Sequence, residues 1–127
     1  MFDPRAIRNL RVAYTAAMER LRQVYADFNA RDIEAVLAVM HPDVDWPNGW
    51  EGGRVRGHAE VRDYWTRQWA EIDSSVEPVG FSETPDGRIA VEVHQLVKDL
   101  DGKVLSEGTV THVYTFDEGL VTRMDII

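Results

Sequence analysis

VLSEGTVTHVYTFDEGLVTRMDII, residues 104–127, reads as two strands folded about a tight turn. Val104 to Phe116 and Leu120 to Ile127 are rich in β-branched and aromatic residues, and Asp117-Glu118-Gly119 between them is a hairpin signal. The pattern repeats toward the N-terminus. Asp101-Gly102 is a second turn, Ile89 to Lys98 a third strand, Pro85-Asp86-Gly87 a third turn, and Val76 to Ser82 a fourth strand. Short turns between successive strands predict an antiparallel meander.

Upstream of residue 76 the apolar period lengthens from two to between three and four. Val61, Tyr64, Trp65, Trp69 and Ile72 share one side of a helix expected over His58 to Ile72. In the N-terminal stretch, Asp3 can cap a helix with Pro4 at its first position. Ile7, Leu10, Tyr14, Met18, Leu21, Val24, Tyr25 and Phe28 then form one stripe that ends near Asn29-Ala30-Arg31. Asp32 can cap a second, short helix with Ile33, Val36, Leu37 and Met40 on its apolar side, stopped by Pro42. Val44 to Trp46 is a short extended piece, broken by Pro47 and Asn48-Gly49, and Glu51 to Gly57 reads as an ordered glycine-rich loop.

Helices first and strands after predict an α+β domain over 1–127, with three helices covering the apolar face of the sheet. Ile89, Val91 and Val93 alternate with Ala90, Glu92 and His94, and Val104, Val110 and Ile126 add further apolar positions. The uncovered face is therefore expected to be apolar enough to form a symmetric homodimer through the sheet.

Composition removes several function classes. The chain has 127 residues, 44% hydrophobic and 28% charged, with a formal net charge of -8. Such a surface repels nucleic acid phosphates and anionic membranes. There is no cysteine, which excludes disulfides, thiolate nucleophiles and cysteine-bound zinc. No signal peptide or membrane-spanning run is visible, so a cytoplasmic protein is expected. Gly49, Gly52, Gly53 and Gly57 lack the lysine and spacing of a phosphate loop. His41, Asp43 and Asp45 could suggest metal ligands, but His41-Pro42-Asp43 also reads as a helix-ending turn, and no metal is expected. The acidic residues are too dispersed to name a glycosidase pair.

Three stretches carry a family pattern: Tyr25 to Asp32 with Val36 to Val44, Gly57 to Trp65, and Thr111 to Val121. Over nearly the whole chain the sequence resembles the nuclear transport factor-like superfamily, in particular its SnoaL-like and ketosteroid-isomerase-like members. The resemblance implies a cone: a curved antiparallel sheet, covered on its concave face by three N-terminal helices and enclosing a pocket. It also implies that Trp46 and Trp50 line or rim that pocket; the alternative is that they plug its wide end as core.

Ketosteroid isomerases pair a carboxylate base with a tyrosine and a protonated aspartic acid that stabilise the enolate oxygen. Aligned to that pattern, Trp46 occupies the base position, His112 the oxyanion-side acid, and Val24 the tyrosine, with Tyr25 one residue away. A typical ketosteroid isomerase is therefore not expected. The resemblance implies instead a SnoaL-like acid–base enzyme: a cyclase, isomerase, dehydratase or hydrolase. His112 and Asp45 are its candidate catalytic groups. The pocket would be lined by Tyr25, Phe28, Trp46, Trp50, Tyr64, Trp65, His94, Tyr114, Phe116 and Met124. His94 on an exposed strand face, Asp125 on either face and Trp65 as plain core remain open. No organic cofactor is implied, and the partner would be a small hydrophobic ligand. The alternative is a non-catalytic homodimeric module that binds a small molecule or a protein.

Overall fold

The computed structural model describes residues 4–127, and within the first helix the side chains of residue 5 and of residues 13 onward. The expected Asp3 cap and the side chains of Ile7 and Leu10 lie outside the described residues. The elements are α1 Pro4–Asn29, α2 Ile33–Leu37, β1 Met40–Pro47, β2 Arg54–Arg56, α3 Gly57–Glu71, β3 Ile72–Glu83, β4 Ile89–Asp99, β5 Val104–Asp117 and β6 Leu120–Ile126. Arg31, with φ at 63°, turns the chain left-handed just after α1. Asp32 then caps α2, its Oδ1 accepting from Ala35 N at 3.2 Å. α3 opens at Gly57, where φ is 78° and a Cβ would stand 3.3 Å from the Pro42 carbonyl oxygen.

One six-stranded sheet runs in the order β2-β1-β6-β5-β4-β3. β3 to β6 form the antiparallel meander that their turns predict. The rest corrects the expectation of a cone-shaped curved antiparallel sheet. The sheet is open and mixed: β2 and β3 are its two free edges, and β1 pairs parallel with β6. Helices and strands also alternate, because β1 and β2 precede α3. A hairpin turn announces pairing between chain neighbours only. The partner of β1 lies 78 to 81 residues downstream in register, since Met40 pairs with Val121 and Asp45 with Arg123. Pro42 sits inside β1 rather than ending α2. The strand tolerates it because β2 pairs only with Asp45, Trp46 and Pro47, leaving the Pro42 end unpaired on that side.

The helices cover one face of the sheet. Leu21, Val24 and Tyr25 of α1, Val36 and Leu37 of α2, and Val61, Tyr64 and Trp65 of α3 pack with Ile89, Val91 and Val93 of β4. Those three β4 residues are buried, so the period-two alternation turns Glu92 and His94 outward. The opposite face is therefore polar over β4, against the expectation of an apolar one. The free edge β3 is tied to α1 by a side-chain amide. Asn29 Nδ2 donates to Val76 O at 2.6 Å, and Val76 N donates back to Asn29 Oδ1 at 2.9 Å. That amide occupies the place of one residue of a neighbouring strand, and it fixes α1 against the sheet.

Candidate functional site

Between α1, α3 and the covered face of the sheet lies a cavity of about 420 Å³. Its walls are largely aromatic. Trp65 of α3 stands edge-on to Trp46 of β1, ring centroids 5.7 Å apart at 88°, and edge-on to Phe28 of α1 at 5.4 Å and 79°. Trp46 and Trp65 are buried, yet they leave a hollow between them and the sheet. They are walls, neither lids nor plugs. Trp50, at 38% exposure, and Ile126, at 44%, mark the mouth, whereas Tyr114, Met124 and Val36 form the buried floor. The Asn48-Gly49-Trp50 turn that carries the mouth is well anchored. Asn48 Oδ1 accepts from the backbone of Trp50 and Glu51, and the Tyr64 hydroxyl meets the backbone of Gly49 and Trp50.

Tyr25, Phe28, Trp46, Trp50, Tyr64, Trp65, His112, Tyr114 and Met124 all line this one cavity. Three of them are joined in a chain of hydrogen bonds. Tyr114 donates its hydroxyl to Tyr25 Oη at 2.7 Å, and Tyr25 Oη lies 2.9 Å from His112 Nδ1. Proton counting orders the chain. Only when Tyr25 donates to Nδ1 do both hydroxyl protons have acceptors, so Nδ1 is bare and the imidazole proton sits on Nε2. Nε2 has no partner among the described residues, and the ring borders the cavity. Burial pushes the His112 pKa from 6.5 down to about 4, so the ring is neutral near pH 7. Burial first, and then the charge and hydrogen bond of Tyr114, push the Tyr25 hydroxyl far above its ordinary value. Burial also raises Tyr114, against a smaller lowering by its bond to Tyr25. The tyrosines therefore hold and orient the imidazole and do not ionise. The group left bordering the cavity is an uncharged imidazole.

Asp45, the expected carboxylate partner, is not among the lining residues. Trp46 faces the cavity, and a strand neighbour points the other way. Asp45 is held by Arg54 at 2.5 Å, Arg123 at 2.8 Å and Arg56 at 3.3 Å. Burial raises its pKa, but the Arg54 hydrogen bond and the charges of Arg54, Arg123 and Arg56 outweigh burial and leave it below the ordinary carboxylate range. Asp125 belongs to the same cluster, bonded to Arg123 at 2.9 Å. His94 also lies away from the cavity, pairing with Glu107 at 3.0 Å on the outward face. Phe116 packs against the core without lining the cavity. Among the described residues no Asp, Glu, Lys or Arg lines it, and no cluster of three or more His, Cys, Asp or Glu is placed to hold a metal ion. No helix among them is long and apolar enough to cross a membrane.

Two features escape sequence reasoning. One is the contact between Tyr25 and His112, 87 residues apart. The other is Gln68, buried on α3 and lining the cavity beside Ser74. Its place four residues after Tyr64 and three after Trp65, on the apolar side of the helix, was the available signal.

Comparison with known proteins gives the setting. The SnoaL-like domain family matches residues 21–124. The crystal structure of TerC, co-crystallised with polyporic acid, is 32% identical, covers 88% of this chain and 90% of its own, and superposes with a TM-score of 0.76. An NTF2-like protein of unknown function from Burkholderia pseudomallei K96243 is 27% identical over 88% of this chain and 89% of its own, at a TM-score of 0.76. SalBIII, an epoxide hydrolase/cyclase-like enzyme in pyran ring formation in salinomycin, shares the fold at 18% identity, 90% and 91% coverage and a TM-score of 0.75. No curated protein matches the chain significantly.

Proposed function

The chain belongs to the SnoaL-like domain family, and on that premise we propose that it is a small-molecule enzyme in which His112 Nε2–H polarises a ligand oxygen inside the aromatic cavity. The observation that carries this reading is the Tyr114–Tyr25–His112 chain, which leaves a neutral donor facing a largely aromatic cavity. A fixed donor in a water-poor site stabilises a carbonyl oxygen more strongly as negative charge develops on it. That is what an enolisation, a ring closure, a dehydration or a carbonyl hydrolysis needs at its first barrier. A proton released from carbon would leave through water or through the ligand's own oxygen, since Asp45 faces elsewhere. The uncharged lining favours an apolar, planar or alicyclic ligand. Polyporic acid, the compound crystallised with the 32% identical TerC, is the first probe.

Ring-nitrogen NMR tests the reading, with a His112→Asn variant to assign the signal. Expected are a single neutral Nε2–H tautomer near pH 7 and a shift of that signal when polyporic acid or a small aryl ketone or lactone binds. A ring that titrates as an ordinary histidine and ignores every compound would refute the assignment. A non-catalytic binding module is the second reading. The lack of a lining carboxylate favours it, and binding without turnover would establish it. Homodimerisation through the sheet and residence in the cytoplasm belong to the same proposal. Exposed Leu100, Val104 and Leu105 at the β4–β5 end offer the apolar surface, and sedimentation gives the mass that decides.

A further inference from the structure

Among the described residues five polar or charged side chains are buried: Asp45, Asn48, Gln68, Ser74 and His112. Only Gln68, Ser74 and His112 line the cavity. His112 is accounted for above; the other two are not. A buried amide is costly unless both of its halves are partnered, and leucine would fill the same place on α3 more cheaply. Gln68 is 7% exposed, and its Nε2 donates to Ser74 Oγ at 3.2 Å. Its Oε1 has no partner among the described residues. Exchanging the two ends of the amide changes nothing, because one half then meets Ser74 and the other still meets the cavity.

The sheet register places this pair away from the histidine. Ser74 pairs with Val97 and His112 with Val91, so six residues of β4 separate the two rows. At ~3.4 Å per residue that is about 20 Å along the strand, before the side chains reach toward each other. Val76 and Val110, from the rows between, and Trp65, about one helical turn before Gln68, make most of the intervening wall apolar; Gln95, paired with Val76, is its polar residue.

We propose that Gln68, steadied by Ser74, is a second hydrogen-bonding site for the ligand. The ligand is then an elongated, uncharged, largely aromatic molecule with an oxygen function near each end, one on His112 Nε2–H and the other on the Gln68 amide. Gln68 thereby decides which part of the ligand is presented to His112. With a hydrogen bond of ~2.8 Å at each end and side chains extending inward, the two ligand oxygens stand roughly 10–15 Å apart. This inference rests on the reading of the cavity as the ligand site.

The test uses para-hydroxybiphenyl, para-hydroxyterphenyl and their symmetrical diols, titrated against the full chain by quenching of tryptophan fluorescence from the cavity. At least one diol should bind the wild type about 5- to 20-fold more tightly than its mono-hydroxy partner, the gain from one buried hydrogen bond. Gln68→Leu combined with Ser74→Ala, which leaves no orphaned hydroxyl, should abolish that advantage. Gln68→Met, close in length, is the second variant should the double substitution fold poorly. A diol advantage that survives these substitutions, or is absent from the wild type, overturns the inference alone. Mono-hydroxy binding that His112→Asn does not weaken overturns the role of His112 and leaves the Gln68 result standing. If none of the four compounds binds, the cavity reading falls and the inference with it.

Discussion

Replacing Tyr25 by Phe removes a single oxygen from the middle of the hydrogen-bond chain and leaves the packing intact. Tyr25 is 3% exposed, and Phe keeps its ring, so no cavity term enters. Two bonds disappear, at 2.7 Å to Tyr114 and 2.9 Å to His112. Both former partners are left in apolar surroundings: the Tyr114 hydroxyl without an acceptor and His112 Nδ1 without a donor. A buried polar group stranded in this way costs ~1–3 kcal/mol, so Tyr25→Phe should lose about 3 kcal/mol in all. Tyr114→Phe removes a donor and strands nothing, because Tyr25 still donates to His112; its cost should be about 1 kcal/mol. In the double variant the Tyr114 orphan no longer exists. The double variant should therefore lose about 1 kcal/mol less than the sum of the singles. Urea denaturation at pH 7 measures all three at constant m-value, and ring-nitrogen NMR follows the tautomer. In Tyr25→Phe the His112 proton should spread over both nitrogens. A Tyr25→Phe loss under ~0.5 kcal/mol, or strict additivity of the pair, would refute the ordering of the chain.

Asp45→Asn should cost about 1–2 kcal/mol, since it unbalances the arginines around a buried carboxylate, yet leave ligand binding within about 2-fold. The folded Asp45 pKa is depressed, so its stabilisation is present above the ordinary carboxylate pKa and lost as the pH falls through the folded value. The gap between wild type and variant should close at acid pH in urea melts. His112 acts in another window. It binds its proton less readily when folded, about 4 against 6.5, so stability should fall as the pH drops from 6.5 toward 4, with a slope of up to about 1.4 kcal/mol per pH unit. His112→Asn should flatten that limb of the stability curve. Asn29→Ala should cost about 1–3 kcal/mol by stripping two hydrogen bonds from the edge strand β3. Hydrogen exchange at Val76 should report the loss locally, and an unchanged exchange rate there would argue against the tie.

Local order was legible in the sequence because local forces set it. The 3.6-residue stripe from Tyr14 to Phe28, the cap at Asp32 and the Gly turns at 87, 102 and 119 each depend on residues within one turn or one hairpin. The α1, α3 and β4–β6 boundaries fall within a residue or two of those readings. The same loose motifs were enough to identify the family. The tertiary structure decided what lies between distant segments. It laid β1 parallel to β6 in an open sheet, and strand alternation then sent Trp46 to the cavity and Asp45 to the arginines. It turned Glu92 and His94 outward, and it brought Tyr25 to His112 and Gln68 to Ser74. No periodicity encodes such contacts. Each depends on which strand register and which helix rotation bury the most apolar surface while leaving few polar groups unpaired, and that balance is settled by the whole chain at once.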